Sequence, residues 1–353
     1  MTYFGFGVKE STGMRVAVTG VTGRIGANVA ADLIRRGHEV RGLLCRDDPA
    51  AARVSGLGLD LVDGDLGRID DVRGALDTCE AVIHLGAAFQ AGGPFTPEQY
   101  FDINVKGTFH VLEVCREYQH RVKHVVVTST DATVDKYPPG GFDAPLREDS
   151  LPQDVTAWYG YTKTLCEHMA DRYLRADRLP VTVLRFAYVW GPGEVLTFPQ
   201  FRIPYFRGQL ATKSSGEAAA ARAALDRAES EGATLVVARD PAGRSWVKHA
   251  LEIRDILHAY SRLLCHPGAL GRTLQLASAE PFAWETVVPH LGRRTGETWV
   301  DLRLPITPTH YWYDLSAARN AFGYAPSLTV EQMIDDALDG VDSGSLIPNY
   351  SGT

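Results

Sequence analysis

A tyrosine and a lysine supply the chemistry that this sequence most clearly offers. Tyr159 and Lys163 are four residues apart, so on a helix their side chains share one face, about one turn apart. A free phenol titrates near a pKa of about 10, and an adjacent ammonium favours the phenolate and lowers that pKa. The pair therefore predicts an acid/base that exchanges a proton with an alcohol or a carbonyl. Tyr161 competes for this role, but no lysine follows it by four residues.

A glycine-rich turn lies near the N-terminus. The apolar run 15–19 leads directly into Gly20, Gly23 and Gly26, and residues 27–36 then show helical spacing of apolar side chains. Glycines at such a turn let the backbone bend tightly and approach a pyrophosphate, whose charge lies at the N-terminus of the following helix. Because the turn lies between a predicted strand and a predicted helix, it predicts dinucleotide binding.

The elements that must position these residues alternate between strand and helix. Apolar patterning predicts strands at 39–44, 60–63, 81–85, 124–128, 181–186 and 273–276, and helices at 27–36, 69–78, 97–118, 157–174 and 253–264. Such alternation predicts an α/β fold with a doubly wound parallel sheet, whose ligands bind at the carboxyl ends of the strands.

Further motifs follow in order along the chain. Asp65 ends an Asp-Gly-Asp segment, His84 begins His-Leu-Gly-Ala-Ala, Asn104 begins Asn-Val-Lys-Gly-Thr, and residues 189–193 read Val-Trp-Gly-Pro-Gly. With the glycine turn and the Tyr/Lys pair, they resemble the extended short-chain dehydrogenases/reductases of the NAD-dependent epimerase/dehydratase family. The resemblance runs from Met14 to about residue 338 and implies a Rossmann-type fold, a nicotinamide dinucleotide and hydride transfer.

The resemblance also implies roles for individual residues. Thr130 is expected to donate a hydrogen bond to the substrate oxygen, Tyr159 to exchange the proton, and Lys163 to lower the pKa of Tyr159 and to bind the nicotinamide ribose. Asn104 is expected to organise the helix beside the site, and His84 and His249 to be structural. The cofactor-binding residues are expected to be Gly20, Thr22, Gly23, Arg24, Ile25, Gly26, Arg46, Asp65, Leu66, Leu85, Ala87, Ala88, Asn104, Thr128, Tyr159, Lys163, Phe186 and Val189.

The choice between NAD and NADP depends on the end of the second strand. An acidic residue there binds the ribose 2′-hydroxyl, whereas a basic residue accommodates a 2′-phosphate. The expected position is apolar in this chain, and Arg46 follows it. Arg24 and Arg46 favour NADP slightly, although Asp47 and Asp48 leave NAD open.

The domain organisation follows the same resemblance. Residues 14–193 are expected to form the dinucleotide-binding domain, to which 246–277 return. A smaller, mostly helical substrate-binding part is expected from 194–245 and 278–345. Residues 1–13 are expected to be a flexible leader and 346–353 a tail.

Two departures from the family pattern and one similarity to it bear on the identity of the substrate. Thr130-Asp131-Ala132 lacks the glutamate of nucleotide-sugar dehydratases, and Ala187-Tyr188 lacks an asparagine that many nucleotide-sugar enzymes use. Conversely, Arg244 resembles an arginine that some members place on the substrate phosphate. Aromatic residues could stack on a substrate or belong to the core. The substrate-side candidates are Asp131, Tyr188, Trp190, Arg244 and Trp246.

These observations leave three functions open. The preferred interpretation is an oxidoreductase or epimerase acting at a secondary alcohol or ketone of a sugar or sugar derivative. The alternative is an NADPH-dependent reductase of a bulkier aromatic or steroid-like carbonyl compound. A non-catalytic dinucleotide sensor is disfavoured, because such sensors usually lack the Tyr/Lys pair.

Composition and charge limit the kinds of partner that this protein is expected to bind. The formal net charge of −7, without a basic stripe, argues against a nucleic-acid partner. Five scattered cysteines without metal-ligand spacing indicate reduced thiols, no metal site and a cytoplasmic location. No apolar run reaches the ~20 residues of a membrane span. The resemblance implies a homodimer formed by the Asn104 helix and the Tyr159 helix.

Overall fold

The computed structural model of the chain describes residues 13–89, 95–341 and 346–348. Most of the predicted leader and the end of the tail lie outside these residues. The main sheet has seven parallel strands in the order β11-β6-β5-β4-β1-β2-β3. Their bounds are β1 Arg15–Thr19, β2 Glu39–Leu44, β3 Asp60–Asp63, β4 Ala81–His84, β5 His124–Thr130, β6 Val181–Phe186 and β11 Thr273–Leu276.

Helices connect these strands and cover both faces of the sheet, as a doubly wound fold requires. The α-helices of the described residues are α1 Arg24–Arg35, α2 Ile69–Leu76, α3 Pro97–Tyr100, α4 Gly107–Glu117, α5 Trp158–Asp177, α6 Ile203–Ala211, α7 Gly216–Ser230, α8 Ile253–Leu263, α9 Trp284–Thr295, α10 Ser316–Phe322 and α11 Val330–Asp339. The predicted α/β class is confirmed.

The central strands carry the core of the sheet. Every residue of β4, β5 and β6 is buried, because both faces of a parallel sheet are covered by helices. One face packs with α1 and α8, and the other with α2, α4 and α5. These strands therefore hold their carboxyl ends, where the chemistry was expected, in a fixed arrangement.

The helix predicted at 97–118 is not uniform. It begins with α3, which is capped reciprocally by Thr96 and Gln99, continues as a π-helical segment at Phe101–Lys106, and ends as α4. Isolated π-helical turns are rare and occur frequently at functional sites. This one places Asn104 inward, where its side chain is buried.

A second core lies beyond the carboxyl ends of the sheet. It is rich in aromatic side chains, with Trp190 against Phe198 at 5.1 Å and Trp246 against Trp284 at 5.6 Å between ring centroids. The part predicted to be mostly helical, 194–245 and 278–345, holds five α-helices and one strand pair of its own among its described residues, and two further pairs involve short strands within 188–190 and 247–252. The pairs are β7 Tyr188–Trp190 with β10 Ala250–Glu252, β8 Ala233–Arg239 with β13 Thr298–Arg303, and β9 Val247–Lys248 with β12 Phe282–Ala283.

A late segment of the chain returns to the first helix. The side-chain amide of Asn28 donates to the carbonyl oxygen of Ile347 at 2.9 Å, and the Ile347 N–H donates to Asn28 Oδ1 at 2.8 Å. Arg53 donates to the Pro348 carbonyl at 2.7 Å, and Leu346 is buried. Residues 346–348 are therefore bonded to α1 and to Arg53, which follows β2.

Candidate active site

The proposed catalytic side chains meet at the carboxyl end of β5. Thr130 is the last residue of that strand, and Tyr159 and Lys163 lie in the first turns of α5. All three are nearly buried. The structure thus brings the three expected catalytic residues together in the centre of the sheet.

Gly160 allows this arrangement. A Cβ atom at this position would lie 2.1 Å from the carbonyl oxygen of Ala132, closer than any side chain tolerates. Without a side chain, the start of α5 packs directly on the backbone that follows β5. Tyr159 is consequently held within hydrogen-bonding reach of Thr130.

The ionisation of Tyr159 differs from the sequence-based expectation. Burial raises the pKa of the Tyr159 phenol well above its ordinary value, the hydrogen bond with Thr130 lowers it, and the negative charge of Asp131 raises it further. The expected lowering of this pKa by Lys163 is not what governs it, because the loss of water around a buried phenolate has the largest effect. In this structure the phenol is protonated at neutral pH.

Lys163 is buried beside Tyr159. Burial lowers its pKa, and the nearby Cys166 and Glu167 oppose that change. Its ammonium makes no ion pair or hydrogen bond with any residue in 13–89, 95–341 or 346–348. A buried ammonium without a protein partner is suited to bind a hydroxyl group of a ligand.

Asn104 organises the neighbouring backbone, as expected. Its side chain accepts from the Ala88 N–H at 2.7 Å and donates to the Ala88 carbonyl at 3.2 Å and to the Thr162 hydroxyl at 3.0 Å. These bonds join the segment after β4 to α5. The residue thereby fixes the position of Ala88 relative to the Tyr/Lys helix.

His84 belongs to a polar chain below the site. Its Nδ1 lies 2.7 Å from the Thr19 hydroxyl and its Nε2 lies 3.0 Å from the Thr108 hydroxyl. Burial lowers the pKa of His84 to about 3, so the ring is neutral. The expected structural role is supported by this geometry, and His249 is similarly buried between the Ser278 carbonyl and the Tyr313 N–H.

The glycine turn forms a cradle at the start of α1. Gly20 has a φ of +67°, and a Cβ atom there would lie 2.7 Å from the Gly86 nitrogen. A Cβ atom on Gly26 would lie 2.1 Å from the Gly20 carbonyl oxygen. No side chain caps the start of α1, so its first N–H groups remain available to an anion.

Neighbouring side chains brace this cradle. The Thr22 hydroxyl donates to Asp48 at 2.6 Å, and Arg24 forms an ion pair with Glu194 at 2.6 Å. Arg24 is therefore held by a carboxylate of this chain, not extended toward a ligand. Ile25 packs against the adjacent core.

The other expected cofactor residues lie along the same strand ends. Leu66 follows β3 and contacts the space that a side chain on Gly86 would occupy. Asp65 is exposed and accepts the Gly67 N–H at 2.8 Å. The remaining ones lie near the ends of the neighbouring strands. Leu85, Ala87 and Ala88 follow β4, Thr128 lies two residues before the end of β5, Phe186 ends β6, and Val189 lies in β7. The crevice from the cradle to Lys163 thus fits a nicotinamide dinucleotide, which would supply a hydride.

The substrate-side candidates divide into two groups. Asp131 is buried and accepts from the Tyr313 hydroxyl at 2.8 Å, and Tyr188 is half-buried near Arg24 and Glu194. Trp190 and Trp246 are instead core residues, each about 1% exposed. Arg244 is exposed and is held by Asp240 at 2.8 Å, so the expected phosphate-binding arginine is engaged at the surface.

Two lysines near the site were not predicted. Lys136 forms an ion pair with Asp131, and Lys248 is buried with its ammonium 4.4 Å from the centroid of the Tyr188 ring. Both lie far from Tyr159 in sequence, so spacing could not reveal them. The one available signal was a lysine inside the apolar segment that follows Trp246.

Two features are absent from the part of the chain that the structure describes. It contains no group of three or more His, Cys, Asp or Glu side chains arranged to hold a metal ion. None of its helices is long and apolar enough to cross a membrane.

Known proteins resemble this chain over much of its length. The chain is 27% identical over 342 residues to the 2-alkyl-3-oxoalkanoate reductase of Stenotrophomonas maltophilia, which covers 90% of this chain and 97% of that protein. It is 34% identical to sterol demethylase protein B of Methylococcus capsulatus, over 51% of this chain and 53% of that protein.

Solved structures show the same fold. A short-chain dehydrogenase/reductase superfamily protein from Agrobacterium tumefaciens, with bound NAD, matches with a TM-score of 0.76 and 27% identity over 93% of this chain and 97% of that one. The UDP-glucuronic acid 4-epimerase of Bacillus cereus matches with a TM-score of 0.68 and 19% identity over 94% and 99%.

The family assignment rests on a match to the family's sequence model. The model of the NAD-dependent epimerase/dehydratase family matches residues 16–225, more than half of the chain. The protein is accordingly an NAD(P)-dependent oxidoreductase or epimerase of the extended short-chain dehydrogenase/reductase type. With its parallel sheet, glycine cradle and Tyr/Lys pair, the chain belongs to the NAD-dependent epimerase/dehydratase family.

Proposed function

We propose that this protein reduces a ketone to a secondary alcohol, with Tyr159 as the proton donor. The observation that carries the proposal is the position of Tyr159, which is buried at the start of α5 beside Thr130 at the end of β5, where burial raises the pKa of its phenol. A protonated acid at neutral pH is the form that carbonyl reduction requires, whereas alcohol oxidation requires the phenolate.

The proposed reaction has two transfers. The hydride for the carbonyl carbon would come from a reduced nicotinamide held in the crevice between the glycine cradle and Lys163. Tyr159 donates its proton to the carbonyl oxygen, and Thr130 holds that oxygen by a hydrogen bond. The Lys163 ammonium stabilises the phenolate that remains until Tyr159 regains a proton from solvent.

The substrate class that we favour is a ketone without a nucleotide. Arg244 is engaged with Asp240 at the surface, and no asparagine precedes Tyr188, so two features of nucleotide-sugar binding are missing. One relative that covers 90% of the chain is named as a reductase of an oxo compound. This choice corresponds to the alternative interpretation of the sequence, with a reductase in place of the sugar enzyme preferred there.

Action on a sugar is the second candidate. It is supported by the 30% identity to the UDP-glucose 4-epimerase of Neisseria meningitidis over 49% of this chain and 52% of that protein. An epimerase returns the hydride to its substrate, so it produces no net change in the cofactor.

A substrate panel separates these functions. Purified protein is incubated with NADPH or NADH and either aliphatic, aromatic and steroid ketones or UDP-sugars, and the absorbance of the reduced nicotinamide is followed. We expect net oxidation of the cofactor by a ketone. Interconversion of UDP-sugars without a change in absorbance would contradict the proposal and support the epimerase.

For the cofactor, we propose a preference for NADPH over NADH. Arg46 is exposed just after β2 and makes no ion pair within the described ranges. The carboxylate of Asp48 is already engaged by Thr22 and by the Ala50 N–H, so it is not available to a ribose. These contacts support a site that accepts a 2′-phosphate.

For the assembly, we propose a homodimer. The π-helical segment, α4 and α5 together carry large exposed apolar side chains on neighbouring helices: Phe101, Phe109, Trp158 and Tyr161. Large apolar side chains exposed on adjacent helices are typical of an interface. Sedimentation analysis should show a dimer that Phe109→Glu weakens, and a monomeric wild-type protein would contradict the proposal.

A further inference from the structure

We propose that Lys136 and Lys248 form a subsite for a carboxylate group carried by the ketone substrate. The inference rests on the proposed function, because it names a chemical group of the substrate that Tyr159 protonates. It is drawn from buried charges that the catalytic residues do not use.

The Lys248 ammonium is buried next to an amide oxygen and two aromatic rings. The residue is 2% exposed, and its ammonium donates to Gln200 Oε1 at 3.1 Å. It lies 4.4 Å from the Tyr188 ring centroid and 5.0 Å from that of Phe198. It makes no ion pair with any described residue. The amide oxygen and the two aromatic faces compensate only partly for the hydration that the ammonium loses on burial.

The nearest carboxylate is already occupied. Asp131 is buried, forms an ion pair with Lys136 and accepts the hydrogen bond of the Tyr313 hydroxyl at 2.8 Å. The Lys136 ammonium also lies 5.3 Å from the Tyr311 ring centroid. Lys248 therefore remains in excess, and burial together with the charge of Lys136 lowers its pKa to about 7.

The charge balance indicates which anion would fit. Two lysines and one aspartate leave a single positive charge when Lys248 is protonated. A carboxylate carries one negative charge and would neutralise it, whereas a phosphate dianion would leave a buried negative charge. We therefore assign a carboxylate in preference to a phosphate.

The position of this cluster connects it to the reaction. Asp131 directly follows Thr130 in the chain, and its charge acts on both Tyr159 and Lys248. Tyr188, which covers the Lys248 ammonium, begins the short strand that follows β6. A carboxylate bound there would lie on a different part of the substrate from the reacting carbonyl and would orient it.

A binding experiment tests the subsite without turnover. Acetate, butyrate and hexanoate are titrated into the protein saturated with NADP⁺, and each is compared with its uncharged amide by calorimetry. Because a hydrogen bond to a charged group is stronger than one to a neutral group, we expect at least one carboxylate to bind about tenfold more tightly than its amide. Equal binding across the series would overturn the proposal, as would tighter binding of inorganic phosphate.

Two variants locate the effect. Lys248→Met keeps the apolar stem and removes the charge, so it should reduce the preference for the carboxylate to less than about threefold. Lys123→Met, at an exposed lysine paired with Glu80, is the control and should keep it. A preference that survives Lys248→Met would overturn the assignment to Lys248.

The outcome is separable from that of the proposed function. If the preference for carboxylates is present but no ketone is reduced, the subsite stands and the reductase proposal fails. If ketones are reduced but acids and their methyl esters have equal kcat/KM, the subsite proposal fails and the reductase stands.

Discussion

Two buried ionic clusters flank the reacting residues, and they differ in whether their charges balance. In the first, Glu167 accepts from Arg185 at 2.7 Å, from the Ser129 hydroxyl at 2.5 Å and from Gln153 at 2.7 Å. Each oxygen of the carboxylate has partners, and one cation meets one anion. In the second, Asp131 forms an ion pair with Lys136, the charges of both act on Lys248, and one positive charge is left over.

This difference distinguishes buried charges that hold the fold together from buried charges that are available to a ligand. A balanced pair fully supplied with hydrogen bonds joins α5 to β5 and β6, so it holds the catalytic helix in place. An unbalanced cluster costs free energy in the absence of a ligand and recovers it when an anion binds. We infer that the first cluster positions Tyr159 and that the second contacts the substrate.

The largest expected effect concerns the residue between the clusters. Tyr159→Phe removes the proton donor and keeps the ring, so kcat should fall about 10²- to 10⁴-fold. Binding of the dinucleotide, measured by fluorescence titration, should stay within a few-fold of wild type. A variant that turns over at the wild-type rate would remove Tyr159 from the mechanism.

Mutation of the balanced cluster should lower the stability of the folded protein. Glu167→Gln leaves the Arg185 guanidinium buried without its counter-ion, which should cost about 3–5 kcal/mol of unfolding free energy. Asp171→Asn is the matched control on the same helix, because its ion pair with Arg175 is exposed and should be worth about 0–1 kcal/mol. Equal losses in urea unfolding would contradict the structural role of the Glu167 cluster.

In the unbalanced cluster, removing the Lys248 charge should raise the stability of the protein at low pH, where removing a charge from the balanced cluster should lower it. Since the pKa of Lys248 is lowered to about 7 by burial, the unfolded chain binds more protons than the folded one between pH 7 and the ordinary lysine pKa. Wild-type stability should therefore rise through this range relative to Lys248→Met, by about 1.4 kcal/mol per pH unit. Below pH 7 the difference should be constant and favour the variant.

Urea unfolding of wild type and Lys248→Met at several pH values between 6 and 10 measures this dependence. A stability difference that does not change with pH would show that the Lys248 ammonium is not destabilised by burial. That result would contradict the distinction between a cluster with balanced charges and a cluster with an excess buried cation.

The smallest expected effect concerns an exposed charge that belongs to neither cluster. Arg46→Ala should lower the preference for NADPH over NADH about tenfold in kcat/KM, because one charge-assisted contact to the 2′-phosphate is lost. Arg35→Ala, on the exposed side of α1, is the control and should leave the ratio unchanged. An unchanged ratio in Arg46→Ala would instead indicate that NADPH is not selected at this position.

Much of the dinucleotide-binding part could be predicted from sequence. The strands at 39–44, 60–63, 181–186 and 273–276 are confirmed with the same bounds, because short apolar runs between polar segments are typical of a buried parallel sheet. The cradle was visible because Gly20 and Gly26 are required by backbone geometry, and Tyr159 and Lys163 because they are neighbours on one helix.

The rest depends on contacts between distant segments. Lys136 follows β5 and Lys248 lies in β9, and no local pattern in the sequence reveals that the charge of Lys136 acts on Lys248. The π-helical segment around Asn104 depends on bonds to Ala88 and Thr162. The pKa of Tyr159 was predicted with the wrong sign because helical spacing reveals the cation but not the burial.

The bonds between Asn28 and Ile347 have a consequence for biosynthesis, because they join residues 319 positions apart. The start of α1 leaves the ribosome early, but Asn28 acquires these partners only after Ile347 has been translated. Until then α1, which follows the cofactor cradle, lacks these two bonds. A nascent chain stalled before residue 346 should therefore capture dinucleotide less well than the released protein.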